Sequence, residues 1–228
     1  MNKFTFIASV CVALFFAACG DDSSSATRPS EESSSSVVLS SSSSFSVISG
    51  LTGNLLTDSR DGQSYKTVSI GTQTWMAQNL NYETANSYCY SNTPSNCTKY
   101  GRLYTWAAAK TACPTGWHLP TKAEFETLFT AVGGSSTAVT KLKLTSGWND
   151  FEGKSGNGVD AYSFSALPAG RRYYNEGYNF EGSLADFWSS TETDSYNAYG
   201  MYLDYIDVSA YLFDYYKNDG FSVRCVKD

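Results

Sequence analysis

The chain has one histidine among 228 residues, which excludes any multi-histidine metal centre. Basic residues are in deficit: 16 Lys+Arg stand against 22 Asp+Glu, a net charge of −6. That balance excludes the broad positive footprint nucleic-acid binding needs. No apolar run reaches the ~20 residues that carry a helix across a bilayer. No GxSxG, HExxH, P-loop or CxxC signature occurs, so the hydrolase, zincin, NTPase and thioredoxin-type readings lack their motifs. Aromatics are not scarce. They make up 15% of the chain, with 17 Tyr, and disorder of the whole chain is thereby excluded.

The first 18 residues read as a signal peptide. Lys3 precedes a mostly apolar run from Phe4 to Phe16, the length of a signal core. Phe16-Ala17-Ala18-Cys19 resembles a bacterial lipobox. The resemblance implies cleavage before Cys19 and acylation of that cysteine, and several acyl chains anchor firmly where one does not. The expected location is the cell envelope, lipid-anchored at the outer membrane or cell surface. Residues 19–56 read as a tether: positions 20–46 alone hold 14 Ser, too little apolar surface to offset ordering entropy, with Val47-Ile48 and Leu51–Leu56 at its end as a candidate leading strand.

Residues 57–228 read as one globular domain. Tyr65–Ile70 and Gln73–Ala77 are strand-like around Gly71-Thr72, which fits a two-residue type II′ turn. A short helix is expected over Tyr104–Thr111. Thr121-Lys122-Ala123-Glu124 is a capping box. It opens a helix whose Phe125, Leu128, Phe129 and Val132 form one buried stripe, stopped by Gly133-Gly134. A further helical turn is expected over Lys141–Thr145. Tyr199–Ile206, Val208–Tyr216 and Phe221–Val226 read as strands. The sum is an α+β fold: antiparallel sheets with two or three short helices.

Of six cysteines, Cys11 leaves with the signal and Cys19 takes lipid. Cys89, Cys97, Cys113 and Cys225 remain, an even number in an exported domain, hence two disulfides. Three pairings are open. Cys89–Cys97 with Cys113–Cys225 is preferred, since the first closes a small Asn/Pro loop and the second ties the helical region to the closing strand.

Six blocks carry a family resemblance: Trp75-Met76-Ala77-Gln78-Asn79-Leu80-Asn81-Tyr82, Tyr100–Trp106, Cys113–Thr121, Phe164–Gly170, Phe187–Thr191 and Gly220–Cys225. In this order they resemble FISUMP, the major paralogous domain of Fibrobacter succinogenes and related bacteria, over roughly 58–228. The layout also resembles the C-type-lectin-like superfold, which includes formylglycine-generating-type enzymes. The lectin-like resemblance implies a helix-side Cys paired with one on the last strand, which agrees with Cys113–Cys225, and the FISUMP resemblance implies a surface or secreted lipoprotein. It transfers no catalytic residue and no cofactor.

His118 is expected to be structural, because a lone imidazole needs partners to catalyse. Trp148-Asn149-Asp150 superficially matches the calcium tripeptide of true C-type lectins but lies too far upstream of Cys225 for that motif. The hard oxygen donors Asn149, Asp150, Glu152, Asn157 and Asp160 nevertheless crowd one Gly-rich loop, a weak calcium set. The ordinary alternative is a solvated turn. Between Arg171 and Tyr216 stand ten Tyr. Their rings, interleaved with carboxylates, suit stacking on sugar faces or covering a protein partner. Tyr173, Tyr174, Tyr178, Trp188, Tyr199 and Tyr202 are the candidate ligand-binding residues. Arg171-Arg172 reads as a local salt-bridge element. The expected function is a membrane-tethered, non-catalytic recognition module for a polysaccharide, with a protein-interaction module as the alternative. A formylglycine-generating-type enzyme ranks last, because the cysteines are better explained as bridges.

Overall fold

A computed structural model of the chain describes residues 54–228. The expected signal peptide, the lipidation site Cys19 and the tether up to residue 53 lie outside the described residues. Strands β1 (Leu55–Thr57), β2 (Ser64–Ile70), β3 (Gln73–Met76) and β4 (Ser87–Tyr88) come first. Helix α1 (Pro94–Tyr100), β5 (Leu103–Tyr104), α2 (Trp106–Ala112) and β6 (Trp117–His118) follow. Next are α3 (Lys122–Ala131), α4 (Ser135–Leu142), β7 (Arg171–Arg172) and β8 (Tyr178–Asn179). The chain closes with β9 (Leu184–Glu192), β10 (Asn197–Asp204), β11 (Tyr211–Tyr216) and β12 (Val226–Lys227).

The fold is α+β. One sheet runs β1-β2-β3-β12-β6 and another β11-β10-β9, both antiparallel. Local chemistry explains the clearest elements. Gly71 at φ 60° turns β2 into β3 while Thr72 keeps negative φ, the type II′ pattern. A Cβ at Gly71 would also stand 2.9 Å from that of Ala131, so α3 could not approach the turn. The capping box forms as expected: Glu124 N donates to Thr121 Oγ1 at 3.2 Å, and Thr121 N donates to Glu124 Oε2 at 2.7 Å. Phe125, Leu128 and Phe129 of α3 join Ile70, Trp75, Phe164, Phe187, Met201 and Leu203 in the main core. A second cluster gathers Met76, Leu80, Tyr104, Trp106, Trp188, Phe221 and Cys225.

Both preferred disulfides are present, Cys89–Cys97 and Cys113–Cys225. Among the described residues four α-helices form, where two or three short helices were expected. α1 begins at Pro94, which is tolerated at the first helical turn, and buries Cys97 and Tyr100 one turn apart. The turn expected at Lys141–Thr145 lies earlier, as α4, because Ala138, Val139 and Leu142 face the core. The closing strand shrinks to Val226–Lys227: residues 221–225 thread the interior with only isolated bridges at Phe221 and Ser222. Leu55 and Leu56, assigned to the tether, pair with Lys66 and Tyr65 in the first sheet. Among the described residues no helix is long and apolar enough to cross a membrane.

Candidate functional site

The β9-β10-β11 sheet has two chemically different faces, as the period-two pleat requires. Ala185, Phe187, Met201, Leu203 and Leu212 meet the core beneath α3. The opposite face carries Leu184, Asp186 and Trp188 on β9, Gly200, Tyr202 and Asp204 on β10, and Tyr211, Phe213 and Tyr215 on β11. Register sets Tyr202 between Asp186 and Tyr211, and Gly200 between Trp188 and Phe213. Gly200 presents no side chain there; a Cβ would come within 3.2 Å of the Tyr215 ring.

The Tyr215 ring fills the space over Gly200, and the segment that starts at β7 walls a hollow beside it. The resulting concavity of about 450 Å³ is lined by Arg171, Phe180, Tyr202, Asp204, Phe213 and Tyr215, among others. Tyr202 and Phe213 meet edge to face at 5.9 Å, and Tyr211 stacks on Phe213 at 5.3 Å. These rings are not spent on the core: Phe213 is 46% exposed, Phe180 46% and Tyr211 40%. The Arg171 guanidinium lies 5.1 Å from the Tyr215 ring centre and 5.7 Å from that of Phe180. It is fixed by a fork to Asp186, Nε to Oδ2 at 2.9 Å and Nη2 to Oδ1 at 3.2 Å. Burial pushes the Asp186 carboxyl up to about 6, with the Arg171 guanidinium opposing. Tyr202 Oη donates to Asp204 Oδ2 at 2.6 Å, and Ile206 N donates to Oδ1 at 2.8 Å. Burial raises the pKa of Tyr202 and Tyr215, so both rings stay neutral.

Two of the six sequence candidates, Tyr173 and Tyr202, line this groove. The others are dispersed. Tyr174 is exposed and meets Tyr216 at 6.0 Å. Tyr178 lies behind the wall, edge-on to Tyr90, donating to Asn92 Oδ1 at 2.7 Å. Tyr199 lies under the Lys122 ammonium at 4.8 Å. Trp188 corrects the expectation of an accessible ring: it is 0% exposed. It stacks on Phe221 at 4.2 Å and donates Nε1–H to Tyr104 O at 2.7 Å, because residues 221–222 and α2 cover β9. Sequence reasoning missed Phe180, Tyr205, Phe213 and Tyr215 as groove residues. A pairing signal was available, since Ala198 and Gly200 on β10 leave room opposite Tyr215 and Phe213. Arg171 and Arg172 do form salt bridges, with Asp186 and Glu176.

The weak calcium set takes up separate tasks. Asn157 Oδ1 accepts from Trp148 N, Asp160 accepts from Ser165 N and Oγ, and Asn149 donates to Ser183 Oγ. Asp150 and Glu152 are exposed. Among the described residues no group of three or more His, Cys, Asp or Glu is placed to hold a metal ion.

His118 has both ring nitrogens on carboxylates: Nδ1 is 2.6 Å from Asp228 Oδ1 and Nε2 2.8 Å from Glu124 Oε1. Two acceptors require two N–H donors, the imidazolium. Partial burial opposes the charge, but the Asp228 and Glu124 contacts outweigh it and raise the pKa above 6.5. Its stabilisation is therefore complete below about 6.5, the unfolded value, and is lost as pH rises through the folded one. The Glu124 carboxyl is lowered: burial opposes, but hydrogen bonds from Thr121 and His118 prevail. Its share is lost as pH falls below the unfolded value of about 4.5. The His118→Gln variant should lose about 0.5 kcal/mol at pH 6, a small figure because the pair is well solvated. Denaturant midpoints at pH 6 and pH 9 check this: the difference from wild type should shrink at the higher pH.

The family model for the Fibrobacter succinogenes major domain (Fib_succ_major) matches residues 68–227, more than half of the chain and all of the groove. No curated protein and no solved structure matches it.

Proposed function

This chain belongs to the Fibrobacter succinogenes major domain family, and on that footing we propose that it is a lipid-anchored, non-catalytic surface recognition module whose aromatic groove takes a polysaccharide. One observation carries the reading: a hollow on a rigid sheet in which half-exposed rings, Phe213 and Phe180, stand beside hydrogen-bonding groups, Tyr202 and Asp204. Pyranose faces are apolar and stack on such rings, while their rims are hydroxyls that need donors and acceptors. The groove's charged groups already have partners, Arg171 with Asp186 and Asp204 with Tyr202, which suits binding better than proton transfer. The Cys113–Cys225 staple agrees with a C-type-lectin-like layout. The lipid on Cys19 would hold the module at the outer membrane or cell surface, in reach of plant-cell-wall polysaccharide.

Affinity electrophoresis on soluble glucans and xylans tests this. Retardation is expected on at least one, and Phe213→Ala should weaken it about tenfold, the equivalent of ~1.4 kcal/mol of lost stacking. The variant should fold normally, since Phe213 is half exposed. No retardation on any glycan would remove the sugar reading.

A second reading is favoured by the place of β11. It pairs with β10 on one side only and exposes Tyr211, Phe213 and Tyr216, so a partner protein could cover it. Recovery of one stoichiometric envelope protein in a pull-down, lost with Phe213→Ala, would favour that occupant.

A further inference from the structure

The two disulfides differ in their surroundings. Each bridge has one buried sulfur, Cys225 in the second core cluster and Cys97, and one half-buried partner; Cys113 packs against that same core cluster. Cys89 and Cys97 instead line a separate open concavity of about 420 Å³, together with Tyr82, Glu83 and Arg102. Cys89 is the half-exposed sulfur of the pair and Cys97 the buried one, so approach from this side meets Cys89. Arg102 is held by its other contacts, Nε to Ser87 Oγ at 3.0 Å and Nη2 to Glu83 Oε1 at 2.9 Å. Its Nη1 is thereby aimed at the bridge, 3.6 Å from Cys97 Sγ and 3.9 Å from Cys89 Sγ. A guanidinium gains little from a neutral disulfide and much from a thiolate, and a better-stabilised leaving thiolate departs faster.

We propose that Cys89–Cys97 is a thiol-exchange site, opened by small dithiols, with Arg102 stabilising the Cys97 thiolate as it leaves. A thiolate of the dithiol attacks Cys89 Sγ. The Cys89–Cys97 bond breaks and its electron pair goes to Cys97 Sγ, beside Arg102. The second sulfur of the dithiol, having given its proton to solvent, then displaces Cys89, which leaves as a thiolate and is reprotonated from solvent. The reductant departs as a cyclic disulfide, having supplied two electrons. The bridged segment also braces the wall of the aromatic groove. Tyr178 Oη donates to Asn92 Oδ1, Tyr100 Oη donates to Glu181 Oε1 at 2.9 Å, and Glu181 N donates to Tyr90 Oη at 3.4 Å. Opening the bridge loosens residues 178–181, which carry Phe180, whatever the groove binds.

The test uses the full chain in native buffer with dithiothreitol, timed quenching, alkylation and mass mapping of each cysteine. Cys89–Cys97 should open at least tenfold faster than Cys113–Cys225. Arg102→Gln should slow it about threefold to tenfold, leave Cys113–Cys225 unchanged, and be largely rescued by Arg102→Lys. Amide exchange at 178–181 should rise on opening. A readout on the wild type alone guards against a variant that misfolds: after opening, alkylation of Cys97 should be half-maximal below about pH 8, against ~8.5 for a free cysteine. Bridges that open together, an Arg102→Gln rate equal to wild type, or an alkylation midpoint at or above 8.5 would each overturn the proposal.

Discussion

Replacing Arg224 with leucine should cost about 3–5 kcal/mol of folding free energy, a large fraction of an ordinary domain's stability. Arg224 is 0% exposed and faces no carboxylate within hydrogen-bond reach. Nε donates to Asn79 Oδ1 at 2.6 Å, Nη1 to Met76 O at 3.2 Å and to Phe164 O, and Nη2 to Ser165 O at 2.8 Å. Its charge is balanced by neutral oxygens drawn from two separated stretches of chain, residues 76–79 and 164–165. Burial pulls its pKa down to about 9, Asp160 opposing, so it remains charged at pH 7. Leucine fills some of the volume but strands four acceptors, each worth roughly 1–3 kcal/mol if left dry. Lysine keeps the charge but lacks the planar fork, so Arg224→Lys should recover less than half of the loss. Urea unfolding measures both. An Arg224→Leu variant within 1 kcal/mol of wild type would show that these oxygens find other partners.

That residue also shows what the sequence could and could not tell. Elements whose cause lies within a few residues were legible: the Gly71 turn, the Thr121–Glu124 capping box and the α3 stripe. Both disulfides were legible because four cysteines leave few choices. β9 was not, because it is buried on both faces and its Leu184–Ser189 run shows no polar alternation. α1 was hidden by Asn and Pro that elsewhere mark loops. Its reason is tertiary: Cys97 is bridged and Tyr100 is buried against Leu103 and Ala169.

The candidate site was half legible for a related reason. Aromatic density located the right sheet, but density does not say which way a ring points. Trp188 and Tyr202 sit on the same sheet face, yet one is sealed by Phe221 and the other lines the groove. The difference arises from a segment 33 positions further on from Trp188. The family blocks divide in the same way. Trp75, Trp188, Phe221 and Arg224 lie in those blocks and are all fully buried, whereas Phe180, Tyr202 and Phe213 lie outside them. The resemblance therefore transmits how the core is built and is silent on what the groove holds.

Removing the two bridges should give unequal losses. Substituting Cys113 and Cys225 together by alanine releases a separation of 112 residues, which the loop-entropy model values at about 4–5 kcal/mol. The same change at Cys89 and Cys97 releases a separation of 8 and should cost about 2–3 kcal/mol. Chain entropy is not the whole of it, because Cys225 follows Arg224 and precedes Val226, which pairs with Trp75 and His118. Three successive residues thus fix one buried segment by three different bonds: guanidinium to carbonyl, sulfur to sulfur, and strand to strand. Groups sharing one segment do not act independently. Combining Arg224→Leu with loss of the Cys113–Cys225 bridge should therefore cost at least 1 kcal/mol less than the sum of the two, since either change alone already frees the segment. Guanidinium unfolding of the four variants measures this, with a moderately stabilising osmolyte if the double variant is too weak. Strict additivity would mean that the bridge acts only on the unfolded chain, and that Arg224 alone holds the segment in place.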